Sequence, residues 1–281
     1  MGVATTADVQ PLLSYRELYE LWERQQWRVQ DLDFSQDRVD WHERFTSERR
    51  AAERAGLSGF FLGEQRVTRE LGPMLRACPD EDARVFLSTQ IADEARHVAF
   101  FDRFFDEVGA MRGDDLAQRI ERLEQHRDEH FTRWFDEALA RRVDRLAAAP
   151  DDVDTLVESI AVYHVLIEGT IAVSSQHFIL TRLEAEGTMP AFVEGFTNVT
   201  RDEHRHVAFG VRFLRDAVRD GHGDAVRRAV AELEPSIDDL TMPPPPDGGW
   251  SDDDELLGAT VGERRALTRR ELHRRLATIG V

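Results

Sequence analysis

An eight-residue pattern occurs twice in this chain: Asp93-Glu94-Ala95-Arg96-His97-Val98-Ala99-Phe100 returns as Asp202-Glu203-His204-Arg205-His206-Val207-Ala208-Phe209. The repeat implies two similar helices in two similar halves. Residues three apart on an α-helix differ by about 300° in azimuth and roughly 4.5 Å in height. Glu94 with His97, and Glu203 with His206, therefore each point to one side, and each pair can hold one metal ion. A lone Glu-x-x-His is weak evidence, because both residues are common on helix surfaces. Two copies inside one shared pattern are harder to explain that way.

Upstream of each pair, by 30 and 35 residues, a carboxylate sits in apolar surroundings: Glu64 follows Gly59-Phe60-Phe61-Leu62-Gly63, and Glu168 follows Val165-Leu166-Ile167. Burying an unpaired carboxylate costs more than the whole stability margin of a domain, about 5–15 kcal/mol. Two divalent ions would supply +4 against the -4 of Glu64, Glu94, Glu168 and Glu203. With both imidazoles neutral, the cluster balances without any Arg. A Glu from each of two helices plus a Glu-x-x-His from each of two others is the arrangement of dinuclear carboxylate bundles with the ferritin-like four-helix core. Carboxylates with one imidazole per ion suit iron or manganese better than copper or structural zinc. Asp93 and Asp202 read as acceptors for the ring N–H of the opposite half's histidine.

The rest of the chain fits that frame. Helix-period apolar spacing recurs and strand-like alternation is nearly absent, so the expected fold is all-α, with helices added to the four-helix core. Expected helices are Tyr15 to Trp27, Arg38 to Glu53, Ser58 to Ala77, Glu81 to Val108, Asp115 to Ala147, Asp152 to Glu186, Ala191 to Arg219 and Asp224 to Glu232. The expectation is one domain over 1–281, with its core at about 38–220. Residues 233–260, with Pro243 to Pro246 and an acidic stretch, are expected to be irregular, and 261–279 to form a C-terminal helix. The apolar run Ile160 to Leu180 carries Tyr163, His164, Glu168, Gln176 and His177, whose polar groups need partners that lipid cannot supply, so it reads as a helix buried in protein. A formal charge of -18 repels phosphate backbones and anionic headgroups, which argues against nucleic acid or a membrane as partner. The single cysteine, Cys78, and the lack of a basic-then-apolar leader point to the cytoplasm. His42, His126, His130, His222 and His273 are expected to face solvent, and His164 and His177 to be satisfied core or interface groups. Phe100, Phe101, Phe104 and Phe105 read as core packing. Trp22, Trp27 and Trp41 are expected to pack the N-terminal segment onto the bundle.

A reduced dinuclear iron or manganese site binds O2 and can generate an oxidant able to take a hydrogen atom from a nearby group. Val67 shares the helix face of Glu64, and Tyr163 precedes Glu168 by one and a half α-helical turns. The chain is similar to the ligand-binding oxidases related to the small subunit of ribonucleotide reductase. The resemblance runs from about Leu21 to Leu214: Leu21-Trp22 leading to Trp27, Asp33-Phe34-Ser35-Gln36-Asp37 with Asp40-Trp41, Gly63-Glu64-x-x-Val67-Thr68, Tyr163-His164 through Glu168-Gly169, and Asp202-Glu203-x-Arg205-His206-x-Ala208-Phe209-Gly210. It implies a mixed manganese–iron site (or two irons), an ether cross-link between Val67 and the Tyr163 oxygen, and a long-chain fatty acid held at the metals. A homodimer is expected, as bundles of this kind often pair through a helix face. Where the family pattern has small-Glu-Thr-Gly-Tyr after the Glu-Gly pair, this chain has Ala172-Val173-Ser174-Ser175-Gln176, a segment placed to line the ligand pocket. The runner-up is a radical-generating reductase small subunit. Against it stand Phe101, where that family commonly carries its radical Tyr, and the lack of any Tyr after Tyr163. A third reading, iron storage or a structural bundle, predicts a cage or no bound metal.

Overall fold

The computed structural model of the protein describes residues 12–111, 115–125, 127–238, 240–243, 246 and 248–281. Caps set its helices. Ser14 and Glu17 form a capping box at the start of α1 (Tyr15–Arg24). A short helix α2 (Ser35–Val39) runs into a single π-helical turn at Asp40–Arg44. Thr46 then accepts a hydrogen bond from Arg49 N and opens α3 (Ser47–Ala77). Asp80 opens α4 (Glu81–Val108) in the same way, and Gly109 closes it with a positive φ. Next come α5 (Leu116–Glu124), a three-residue α6 (Glu129–Phe131), a π-helix at Thr132–Ala140 and α7 (Arg141–Ala148). Asp152 caps α8 (Val153–Ile160), which continues through a π-helix at Ala161–Ala172 into α9 (Val173–Glu186). After Gly187, α10 (Pro190–Ala217), α11 (Gly223–Leu233) and α12 (Val261–Ile279) complete the chain.

The long elements α3, α4, α8 through α9, and α10 pack as the four-helix core. Across it, α1 lies on α4 and α10, and α12 lies on the 161–172 segment and α10. The 153–186 helix is long and apolar enough to cross a membrane by length and composition, and 83% of its most apolar window is buried inside the protein. Phe100, Phe101, Phe104 and Phe105 are fully buried, and Phe104 sits 4.7 Å from Phe192 between ring centres. The 35–44 segment is pinned to the start of α10: Asp40 Oδ2 accepts from Met189 N at 2.7 Å, and Asp37 from Ala191 N and Phe192 N.

Several expected boundaries differ. The expected break between Glu53 and Ser58 is absent, and α3 runs on through Gly56. A helical Gly costs only about 1 kcal/mol against Ala, while the break occurs earlier, where Thr46 offers a cap. The expected helix from Asp115 to Ala147 stops after Glu124 because Asp128 caps a new start at Phe131 N. The 233–260 stretch is not wholly irregular: Glu255–Leu256 pairs antiparallel with Ala259–Thr260 through a turn at Leu257 and Gly258, both at positive φ. It is the only strand pairing among the described residues. His126, Pro244, Pro245 and Asp247, on which earlier expectations fell, lie outside the described residues. His177 is exposed, which excludes the core half of the core-or-interface expectation, and His130 and His222 are half-buried rather than solvent-facing. His222 Nδ1 lies 2.7 Å from Asp154.

Helices approach closely where side chains are missing. A Cβ on Gly210 of α10 would lie 2.2 Å from His164 Cβ in the π-helical segment. Gly210→Ala is therefore expected to destabilise the fold by about 1–3 kcal/mol, a drop in Tm of roughly 2–12 °C. Gly72→Ala, whose added Cβ meets nothing within 4 Å, is expected to leave Tm unchanged or raise it. Thermal unfolding of the two variants side by side checks the contrast.

Candidate metal centre

Glu64 comes from α3, Glu94 and His97 from α4, Glu168 from the 161–172 π-helix, and Glu203 and His206 from α10. All six are buried. Two sets of four ligand atoms, each set lying within 4.8 Å of one another, can be drawn from them: Glu64, Glu94, His97 and Glu203, and Glu94, Glu168, Glu203 and His206. Glu94 and Glu203 belong to both sets, so they sit where bridges between two ions would be. His97 Nδ1 is 3.3 Å from Glu64 Oε2 and 3.4 Å from both Glu94 and Glu203. His206 Nδ1 is 3.2 Å from Glu94, 3.4 Å from Glu203 and 3.5 Å from Glu168.

The π-helix shapes one side of the centre. Its hydrogen bonds span five residues, so Tyr163 and Glu168 stand about one turn apart on a shared face rather than the one and a half turns of an α-helix. Tyr163 Oη donates to Glu94 Oε1 at 2.8 Å. Gln90, one turn before Glu94, donates from Nε2 to Glu168 Oε1 at 3.1 Å and to Tyr163 Oη at 3.2 Å, and its Oε1 lies 3.0 Å from His164 Nε2. Burial holds the His164 imidazole neutral, with its pKa lowered to about 3. Sequence reasoning missed Gln90, although its spacing from Glu94 was the available signal.

Each histidine turns its other nitrogen to an aspartate of the opposite half: His206 Nε2 is 3.2 Å from Asp93 Oδ2, and His97 Nε2 is 3.4 Å from Asp202 Oδ2. The aspartates do borrow arginines, which the charge argument from sequence left out. Arg205 bonds Asp93 at 2.9 Å and Asp202 at 2.6 Å, and Arg96 pairs with Asp93. Both arginines stand three residues after an aspartate within the repeat, and that spacing was the overlooked signal. Trp22 and Trp27 do more than pack, since their indole N–H groups donate to Asp93 at 2.9 Å and to Asp202 at 2.8 Å. Although burial pushes the Asp202 carboxyl up, His97, Arg205 and Trp27 hold it well below the usual range.

The donor set fits a pair of divalent ions. Glu94 Oε2, Glu168 Oε2, Glu203 Oε2 and His206 Nδ1 are buried without hydrogen-bond partners, which is costly unless something cationic meets them. Burial pushes the Glu64 and Glu168 carboxyls well above the usual range. Burial alone would lower His97 and His206, yet the surrounding carboxylates raise both well above 6.5. Burial works against ionised Glu94 too, but the two histidines hold its carboxyl well below the usual range. Protons thus do in the metal-free chain what cations would do in the loaded one.

Beside the centre lies a cavity of about 130 Å3, partly open to solvent. Glu64, Glu168 and Glu203 line it, and so do Val67 and Tyr163. Ala172 and Ser175 of the departing segment border it as well. Gln176 is fully buried.

The family described as ribonucleotide reductase, small chain, matches residues 13–233. Among solved structures, a valine-to-leucine variant of an R2-like ligand-binding oxidase with an anaerobically reconstituted Mn/Fe cofactor is similar, at 27% identity and a TM-score of 0.79, over 99% of this chain and 98% of that one. A glutamate-to-aspartate variant with an aerobically reconstituted Mn/Fe cofactor matches at 26% identity and a TM-score of 0.80, over the same shares of the two chains. A tyrosine-to-phenylalanine variant matches at 26% identity and a TM-score of 0.80, over 98% of this chain and 96% of that one.

Because His97, His206, Glu64 and Glu168 all bind protons more tightly in the metal-free fold than in an unfolded chain, the stability they contribute is present at low pH. It is lost as pH rises past the ordinary values, 4.5 for the glutamates and 6.5 for the histidines, and through their raised values. The metal-free protein is expected to have a lower Tm at about pH 8 than at about pH 6, while the gain in Tm on adding Mn(II) grows with pH, because cation binding must displace those protons. Scanning calorimetry of metal-free and loaded protein at the two pH values reads both signs.

Proposed function

The chain belongs to the ribonucleotide reductase small-chain family, and on that premise we propose that it is an O2-dependent, ligand-binding oxidase with one manganese and one iron (or two irons) held by Glu64, Glu94, His97, Glu168, Glu203 and His206. The observation that carries this reading is the cavity: its walls are apolar, and its inner end is made of buried carboxylates from the candidate metal centre. With two metal ions held by those carboxylates, an apolar wall leading to cations would suit an amphiphile with one anionic end. A long-chain fatty acid fits, its carboxylate toward the metals and its chain against Ile167, Ile171 and Phe135.

When bound and reduced, the metal pair supplies O2 activation and electrons. Val67 and Tyr163 supply the bond to be made. Loss of one hydrogen from a Val67 side-chain carbon and of the phenolic hydrogen of Tyr163, with formation of a C–O ether bond, removes two hydrogens from the protein. O2 accepts these with two further electrons and two protons and leaves as two waters. Burial, with Glu168 and Glu94 beside it, raises the Tyr163 phenol well above its ordinary range, so the proton stays on oxygen until chemistry removes it. Glu94 Oε1, at 2.8 Å, is placed to receive it.

A radical-generating subunit is disfavoured by the position four residues after His97. Phe101 there is fully buried and stacks on Phe61 at 6.1 Å, offering no phenol beside the centre. The same proposal has the protein working in the cytoplasm as a homodimer. Tyr163→Phe is expected to retain metal and to abolish the cross-link. Intact mass after aerobic metal loading should fall by two hydrogens in the unmutated protein and not in the variant, and an unchanged mass in the unmutated protein removes the cross-link from the account. Glu168→Ala should empty at least one metal position, read as metal per chain by elemental analysis.

A further inference from the structure

The cavity is not closed at both ends. Gly56 and Gly59, one turn apart on α3, line it and are exposed, whereas Glu64 on the same helix is buried at the inner end. Across from them Ser175 of α9 borders the same space. The two helices run antiparallel there, since Arg182, two turns beyond Ser175 on α9, meets Glu53, one turn before Gly56 on α3, at 2.6 Å. The cavity therefore runs from the buried carboxylates to a mouth at Gly56. Eight residues of α-helix span about 12 Å. An extended methylene chain of roughly 1.5 Å bonds advances about 1.25 Å per bond, so about ten carbons fill that length.

The unpartnered oxygens of Glu168 and Glu203 at the inner end call for cations, and the apolar wall from there to the mouth is what an acyl chain would lie against. The glycines are not there for helix packing: a Cβ added to Gly56 or Gly59 meets nothing within 4 Å. A Cβ added to Gly63, by contrast, would meet the Phe135 ring at 3.4 Å.

Resting on the ligand reading above, we infer that Gly56 and Gly59 determine which acyl chains the site takes, as a lip without side chains over which the tail of any chain longer than about ten carbons leaves the protein. Short acids end before the lip and are indifferent to it. Long acids must cross it, so a branched side chain at either position excludes them. Because both positions are open, mid-helix and better served by Leu than Gly in helix propensity, the substituted proteins are expected to fold.

The test uses full-length, Mn(II)-loaded protein titrated calorimetrically with hexanoate and tetradecanoate. The unmutated protein is expected to bind tetradecanoate about tenfold or more tightly than hexanoate, because more methylenes are buried. Gly56→Leu and Gly59→Leu should each lose that factor for tetradecanoate and keep hexanoate binding and Mn(II) stoichiometry unchanged. Gly59→Ala, with only a Cβ added, should fall between. Undiminished tetradecanoate binding in both Leu variants overturns the inference while leaving the ligand reading intact, and so does equal loss of both acids. If the unmutated protein binds neither acid, the ligand reading itself fails and takes the lip with it.

Discussion

Four carboxylates held inside an apolar bundle are the constraint on which the rest of the molecule turns. Glu64, Glu94, Glu168 and Glu203 come from four different helices and converge in the buried interior. Such a cluster is unstable alone, and every nearby device addresses its charge. The histidines turn one nitrogen each toward it and retain protons when no cation is present. Gln90 donates to Glu168 and Glu94, and Tyr163 to Glu94. The π-helix at Ala161–Ala172 brings Tyr163 and Glu168 onto one face of the most apolar stretch of the core.

Around that cluster a separate and internally neutral layer has been built. Asp93 and Asp202 answer Arg96 and Arg205, so two negative charges meet two positive ones without drawing on the centre. The aspartates fix the imidazole orientation from behind. Trp22 and Trp27 reach the same aspartates from outside the four-helix core, which ties the N-terminal segment to the geometry of the centre rather than merely to its surface. Loss of such outer contacts in metal sites characteristically weakens metal binding by about ten- to a hundredfold.

Much of this was legible from the repeat. Glu-x-x-His at helical spacing, twice, with an upstream Glu in an apolar run each time, named the six converging side chains, and the start of α4 followed from Asp80 just ahead of its periodic pattern. What escaped was whatever depends on partners distant in sequence or on a non-α period. Arg205 bonds an aspartate 112 residues away, and Gln90 reaches Tyr163 and Glu168 more than 70 residues on. The break after Arg44 and the continuity through Gly56 turned on a single cap at Thr46. The exposure of His177 followed from the phase of a helix that the π segment had already shifted.

The central claim concerns what neutralises the cluster, and diffraction from crystals of the metal-loaded protein at the manganese and iron absorption edges tests it most directly. The account predicts two anomalous peaks, one among Glu64, Glu94, His97 and Glu203 and the other among Glu94, Glu168, Glu203 and His206. A single peak, peaks elsewhere, or carboxylates turned away from one another with no metal between them would contradict it.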